Sequence, residues 1–239
     1  EYGLVGVREA YRAIHAPSSF DELSAARRYL AFEEFFVFSA GLSVLRARRT
    51  GAAGLPFSGC DLADFYAALP FSLTGAQRRA IADIVRDLQS DRPMNRLVQG
   101  DVGSGKTMVA AAAAFCAAQN GDQAALLAPT EILAKQHFAS LGALMGSFSI
   151  PTVLLTGSMP TAEKRRVKES IASGEAKLVI GTHALLSGDV AFSRLGLVIA
   201  DEQHRFGVSQ RAALAAKGTQ PHLLVMSATP IPRTLALIA

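Results

Sequence analysis

Long hydrophobic runs are missing from this chain. The longest unbroken apolar stretch runs from Met108 to Ala118, well short of the roughly 20 residues that a membrane-crossing helix needs. The N-terminus has no cationic start followed by an apolar segment and a cleavage site, so neither secretion nor a membrane partner is expected. Cysteine is equally scarce. Cys60 and Cys116 are the only two, and they lie far apart without a CxxC or a companion histidine spacing. That argues against a zinc site and against a disulfide framework, and makes a reducing cytoplasm the expected home. A large charge excess is absent too: 24 basic and 20 acidic residues leave a net charge of +4, which permits contact with nucleic acid without demanding it. No internal repeat and no low-complexity tract interrupts the chain.

What is present is a globular composition. Half of the 239 residues are hydrophobic and 18% are charged, enough apolar material for an extensive buried interior. The first fifty residues differ from the rest. From Asp21, DELSAARRYLAFEEFFVFSAGLSVLRARR places Leu23, Tyr29, Leu30, Phe35, Phe36, Leu42 and Leu45 at helical spacing between charged residues. This predicts a long amphipathic helix or helix pair, with Ser19 or Asp21 as its cap. RTGAAGLPFSG, residues 49 to 59, reads as a flexible connection. From Asp61 onward, short apolar runs alternate with helical patterns. RLVQ, AALLAP, TVLLT, KLVIGT, LGLVIAD and HLLVMSAT are the candidate strands. Gln77 to Leu88, Lys106 to Gln119, Glu131 to Met145 and Thr161 to Ser173 are the candidate helices between them. Strands that are apolar on both faces and separated by helices imply an α/β fold, with a mostly parallel sheet flanked by helices. The chain starts with Glu1 and breaks off inside the helical pattern of SATPIPRTLALIA, so a fragment of a longer protein is expected.

Between the first strand and the helix that follows it, Gly100, Asp101, Val102, Gly103, Ser104, Gly105, Lys106 and Thr107 fit the pattern GxxxxGK[ST]. Glycines at these positions let the backbone turn its N–H groups toward phosphate oxygens. The helix start adds its positive dipole end, Lys106 reaches the terminal phosphates, and the Thr107 hydroxyl can hold Mg²⁺. Further along, LGLVIADEQH carries Asp201, Glu202, Gln203 and His204 to the carboxyl edge of a strand, where open parallel sheets bind ligands. Phosphoryl transfer needs a metal on the outer phosphates and a group that positions the nucleophile, which assigns Asp201 to Mg²⁺ and Glu202 to water. ATP and Mg²⁺ are therefore the expected cofactors, with Lys106, Asp201 and Glu202 as the catalytic set. A phosphotransferase could use the same loop, but neither an acceptor pocket nor a lid segment is evident.

Six ordered segments carry a resemblance: FSLTGAQRRAI, GDVGSGKT, LLAPTEILAKQH, VIGTHALL, DEQHRFGVSQR and MSATPIPRTLAL. Together they resemble the superfamily 2 helicases and translocases, and within them the bacterial RecG-type branch-migration helicases. The transcription-repair coupling factor and the primosomal helicase share related lobes, so a duplex-DNA translocase of that kind is the alternative. IHAPSSFDELSAARRYLAFEEFF looks like the linker that in RecG-type enzymes joins a DNA-junction wedge to the motor. The resemblance implies two domains, a helical linker at 1–50 and a first RecA-like lobe at 51–239. It also implies a second RecA-like lobe and the wedge as partners within one longer protein, branched or forked DNA as substrate, and a bacterial cytoplasmic setting.

By the same resemblance Gln77 reads the adenine edge with Phe71 as a stacking neighbour, and His204 joins the nucleotide-binding set. A Gln side chain both donates to and accepts from adenine, which agrees. Gln203, Ser227, Thr229 and Arg233 are implied as coupling residues. Pro129, Thr130, Gly181, Thr182 and His183 are implied as the DNA contacts, short polar or backbone-exposing groups that hold phosphates without reading bases. The basic run Lys164, Arg165, Arg166 and Lys168 is a secondary candidate for added charge.

Overall fold

The structure is a computed structural model that describes residues 3–49, 54, 56–201 and 213–228. It divides at Gly51 and Ala52 into two compact units. In the first, α1 (Val7–His15) packs on α2 (Phe20–Arg49), with Ala10, Ala13 and Ala26 fully buried between them. The two helices are clasped by Arg12, which donates to Glu22 at 2.9 Å. The Ser19 hydroxyl accepts from the Glu22 backbone N–H and caps α2, as its side chain suggests. The expected amphipathic segment is one continuous helix, and the nine-residue α1 was not anticipated. At 1.5 Å per residue α2 runs for about 45 Å and α1 for only about 14 Å, so α1 covers a third of its partner's length. Phe35, Phe36 and Val37, past the stretch that α1 covers, accordingly stand more than half exposed.

The second unit is a sheet covered on both faces. After a short α3 (Ala63–Ala68) and α4 (Gly75–Leu88), strand and helix alternate. The order is β1 (Asn95–Gln99), α5 (Lys106–Gln119), β2 (Gln123–Leu127), α6 (Glu131–Gly146), β3 (Thr152–Leu155), α7 (Thr161–Ser173) and β4 (Leu178–Gly181). A single 3₁₀ turn (His183–Leu186), β5 (Leu195–Ala200) and β6 (His222–Ser227) follow. The six described strands pair in the order β1-β6-β5-β2-β4-β3, and every pair is parallel.

Alternation along the strands divides the interior into two layers. Ala124, Leu126, Leu178, Ile180, Leu197 and Ile199 face the core built with α4, α5 and α6. Ala125, Leu127, Val179 and Val198 face the opposite core, which Ile171 of α7 and Leu185 close. That is why the strands read as continuous apolar runs. α5 is buried all round, with Ala110 to Ala114 at most 2% exposed. Alanine combines high helix propensity with the small volume that lets this helix lie against the sheet centre.

One expectation is corrected. Cys60 and Cys116, 56 residues apart, form a disulfide with a Cα–Cα separation of 5.0 Å. The segment before α3 folds back over the last turn of α5, where Ser58 and Gly59 bond to Asn120, and Asp61 to Gln119. Chain reversal, invisible in cysteine spacing, brings the two sulfurs together. α3 was also not anticipated; its Phe65 packs against the contacting pair Phe115 and Phe148.

Candidate nucleotide site

The site grows from the carboxyl end of β1. The Gly100 N–H donates to Ser227 O at 3.2 Å, extending the β1–β6 ladder by one residue before the loop turns away. Inside the loop the Ser104 N–H donates to Asp101 O at 3.1 Å. Gly105, at φ 79°, is the N-cap of α5 and supplies no side chain to it. Glycine is favoured there by its positive φ, and a Cβ would also push aside the Gln77 amide that bonds to this loop. α4 and α6 contrast with α5, since Thr74 and Thr130 cap them with their hydroxyls. The uncapped start of α5 leaves amide donors and a positive dipole end for an anion.

Lys106 Nζ donates to the carbonyls of Gly100 at 2.5 Å and Asp101 at 2.8 Å, so the lysine is folded over its own loop. Neutral carbonyls bind an ammonium more weakly than a phosphate does, so these contacts are exchangeable. A cavity of about 440 Å³ opens beside it, lined by Thr74, Gln77, Gly100, Ser104, Lys106 and Val109. Gln77 completes a capping box with Thr74 and also donates from Nε2 to Ser104 O at 2.8 Å. Phe71 is half exposed and lines a separate hollow of about 270 Å³ with Tyr66 and Arg78. The Arg78 guanidinium lies 5.4 Å from the Tyr66 ring centre there.

Asp201 follows β5, its backbone N–H donating to Leu127 O at 3.0 Å. Only β6 separates β5 from β1, so about 10 Å lies between the phosphate loop's strand and the carboxylate's strand. Ser227, fully buried, ends the intervening strand. Asp201 is 9% exposed and its Oδ2 lies 2.7 Å from Nε2 of His137, itself 9% exposed on α6. Among the described residues Oδ1 has no protein partner. Thr107, half-buried in the first turn of α5, is the other expected oxygen donor. A hydroxyl and a carboxylate are the hard ligands magnesium takes, so the donor chemistry fits that ion.

His137 was missed in the sequence. It shares the face formed by Ala134, Leu141 and Met145, and a histidine on a buried apolar stripe is the signal that could have found it. Glu202, Gln203, His204, Thr229 and Arg233 lie outside the described residues.

The residues implied for DNA stand at neighbouring strand ends. Pro129 and Thr130 follow β2 and are half-buried, Gly181 and Thr182 are buried at the end of β4, and His183 is exposed. Glu131 at the start of α6 accepts from the Ser158 N–H at 2.9 Å and from its hydroxyl. The Ser158 bonds hold the Glu131 carboxyl below its ordinary range. Of the basic run, Lys164 donates to Gly157 O at 2.5 Å and Lys168 pairs with Asp189. Arg165, 75% exposed at its side chain, lies 3.8 Å from Glu169. Among the described residues no group of three or more His, Cys, Asp or Glu could hold a metal ion, and no helix is long and apolar enough to cross a membrane.

Comparison with known proteins bears on the fold and the family. The DEAD/DEAH box helicase family matches residues 74–238. The chain is 50% identical over its full length to the ATP-dependent DNA helicase RecG of Streptococcus pneumoniae, covering 36% of that protein. It is 49% identical to RecG of Synechocystis over 99% of its own length and 29% of the relative's. For RecG of Escherichia coli K12 the identity is 45%, with 99% of this chain and 36% of the relative covered. A solved structure of RecG bound to a three-way DNA junction superposes with a TM-score of 0.86 at 45% identity, over 99% of this chain and 32% of that one. The DUF1998 helicase MrfA shares the fold, with a TM-score of 0.57 at 20% identity over 77% of this chain and 31% of that one. The chain thus spans about a third of the length of the curated relatives it matches. With a helicase family matching most of the chain and a RecA-like sheet superposing closely on RecG, the chain belongs to the DEAD/DEAH box helicases.

Proposed function

We propose that this chain is the first ATP-binding motor lobe, with its incoming helical linker, of a RecG-type helicase acting on branched DNA in a bacterial cytoplasm. One observation carries the reading: a single sheet edge gathers the loop 100–107, Asp201 and Ser227 beside Pro129, Thr130, Thr182 and His183. Nucleotide chemistry and a polymer-binding rim thereby share one rigid support. On this reading Lys106 exchanges the Gly100 and Asp101 carbonyls for the outer phosphates of ATP, and the α5 amides cradle the inner ones. Thr107 and Asp201 hold Mg²⁺, which when bound offsets charge on the phosphates. Glu202 orients the attacking water, and Gln77 receives the base in the cavity it lines, with Phe71 approaching from the neighbouring hollow. At the rim, the Thr130 hydroxyl still has its proton to donate to a DNA phosphate while its oxygen caps α6. The second RecA-like lobe and the wedge domain of the longer protein complete the motor.

Lys106→Ala in the longer protein tests the reading. DNA-stimulated ATP turnover should be abolished while junction binding changes by no more than about twofold, because the lysine is the loop's mobile cation and the DNA rim lies elsewhere. Near-normal turnover in that variant overturns the assignment of the loop.

A further inference from the structure

We propose that His137 is a positioning residue for the metal-binding carboxylate, and that α6 connects it mechanically to the DNA rim. This rests on the nucleotide-site reading above. An ionised carboxylate only accepts, so the 2.7 Å contact has His137 Nε2–H donating to Asp201 Oδ2. That bond fixes the carboxylate plane and leaves Oδ1 as the oxygen for Mg²⁺. Both groups are buried, so water is a poor substitute for the lost partner.

The helix carrying His137 begins at the other functional surface. Thr130 caps it through the Leu133 N–H at 3.3 Å, and Glu131 ties its first turn to Ser158. From Thr130 to His137 is two helical turns, about 10 Å. α6 is wedged into the core by Ala134, Leu141 and Met145, each fully buried. On this proposal a shift of its N-terminus on engaging a DNA phosphate reaches the His137 ring, since close-packed interiors resist compression and transmit strain. Occupancy of the rim then alters how Asp201 is held.

The test uses the longer protein with His137→Leu, which suits the apolar face but has no N–H, and His137→Gln, whose amide can restore the donor. Binding of a fluorescent ATP analogue is titrated with Mg²⁺, in the presence and absence of junction DNA. His137→Leu should raise the Mg²⁺ concentration for half-saturation by about tenfold, the usual scale for losing a partner of a metal ligand. Metal-free nucleotide binding should be unchanged, and His137→Gln should return most of the loss. In the wild type, DNA should lower the Mg²⁺ requirement, and in His137→Leu that effect should vanish. An unchanged Mg²⁺ requirement in His137→Leu, with Mg²⁺-dependent binding intact in the wild type, overturns the inference alone. Absence of Mg²⁺-dependent nucleotide binding in the wild type overturns the reading beneath it as well.

Discussion

Gln77 holds Ser104 from across the nucleotide cavity, its Nε2 donating to the Ser104 carbonyl at 2.8 Å while its Oε1 accepts from the Thr74 N–H at 2.8 Å. Each end of the carboxamide keeps spare capacity, one further N–H and one further lone pair, which is what recognition of adenine requires. Gln77 can therefore serve the base without releasing the loop. Gln77→Ala should weaken nucleotide binding by about tenfold, and the loss of its half of the capping box should cost about 1 kcal/mol of stability. Gln77→Glu keeps the acceptor that completes the cap but loses the donor to Ser104. It should melt within about 0.5 kcal/mol of wild type while still binding nucleotide poorly. A nucleotide titration beside a thermal melt separates the two roles, and an unaffected affinity in both variants removes Gln77 from the site.

The link between Cys60 and Cys116 makes stability sensitive to reductant. Closing a loop of 56 residues is worth about 4 kcal/mol in the chain-entropy account. For a domain of this size that corresponds to a Tm lower by about 10 °C after reduction. The bonds from Ser58, Gly59 and Asp61 to Asn120 and Gln119 remain, so the reduced lobe should still fold. Differential scanning calorimetry with and without a phosphine reductant gives the shift, and Cys60→Ser should abolish its dependence on reductant. An identical Tm under both conditions shows that the pair is not linked in solution.

One part of the acid response should come from the contact between α7 and the segment after the 3₁₀ turn. Hydrogen bonds from Lys168 and Ser187 hold the Asp189 carboxyl down at about 2. A carboxyl lowered in the folded state contributes stability that is present above its unfolded value near 4 and is lost as pH falls toward 2. The slope of Tm against pH between about 4 and 2 should therefore flatten in Asp189→Asn. At pH 7 the variant should be slightly less stable than wild type, because Lys168 loses its partner. A wild-type slope in the variant would assign the acid response to other lowered carboxylates, Glu22 and Glu131.

Much of this was legible because each signal was local. The six apolar runs end within two residues of the six described strands, and Lys106 to Gln119 and Thr161 to Ser173 match α5 and α7. The glycine-rich turn falls between β1 and α5, with Lys106 and Thr107 opening the helix, because glycines punctuate regular elements. What escaped depends on contacts distant in sequence. His137 meets Asp201 across 64 residues, and Cys60 meets Cys116 only after the chain reverses. The exposed Phe35 and Phe36 of α2 show a different failure: helical spacing predicts a face that can be buried, but burial also needs a partner long enough to cover it.

The last prediction concerns the chain on its own. Its nucleotide cavity is lined by α4, β1, the phosphate loop and the start of α5, all of them from one lobe, and the chain spans about a third of its RecG relatives. On the proposed reading a second RecA-like lobe faces the phosphates and supplies an arginine, and such a residue is worth about 10³ to 10⁵ in rate, or roughly 4 to 7 kcal/mol. With the roles proposed for them, Lys106, Asp201 and Glu202 do not replace that charge, since they would act on the near side of the phosphates or on the water. The isolated 239 residues should therefore bind Mg-ATP weakly, hydrolyse it at least about 10³-fold more slowly than the longer protein, and show no strand separation. Movement fails for a separate reason, since a translocating cycle alternates between two grips whose spacing follows the nucleotide state. One lobe provides a single rim. Purified lobe and longer protein should be compared for ATP turnover with and without a three-way junction, and then for unwinding of it. If the lobe alone matches the longer protein in both assays, the division of labour between two lobes is wrong, and Lys106, Asp201 and Glu202 suffice for the chemistry.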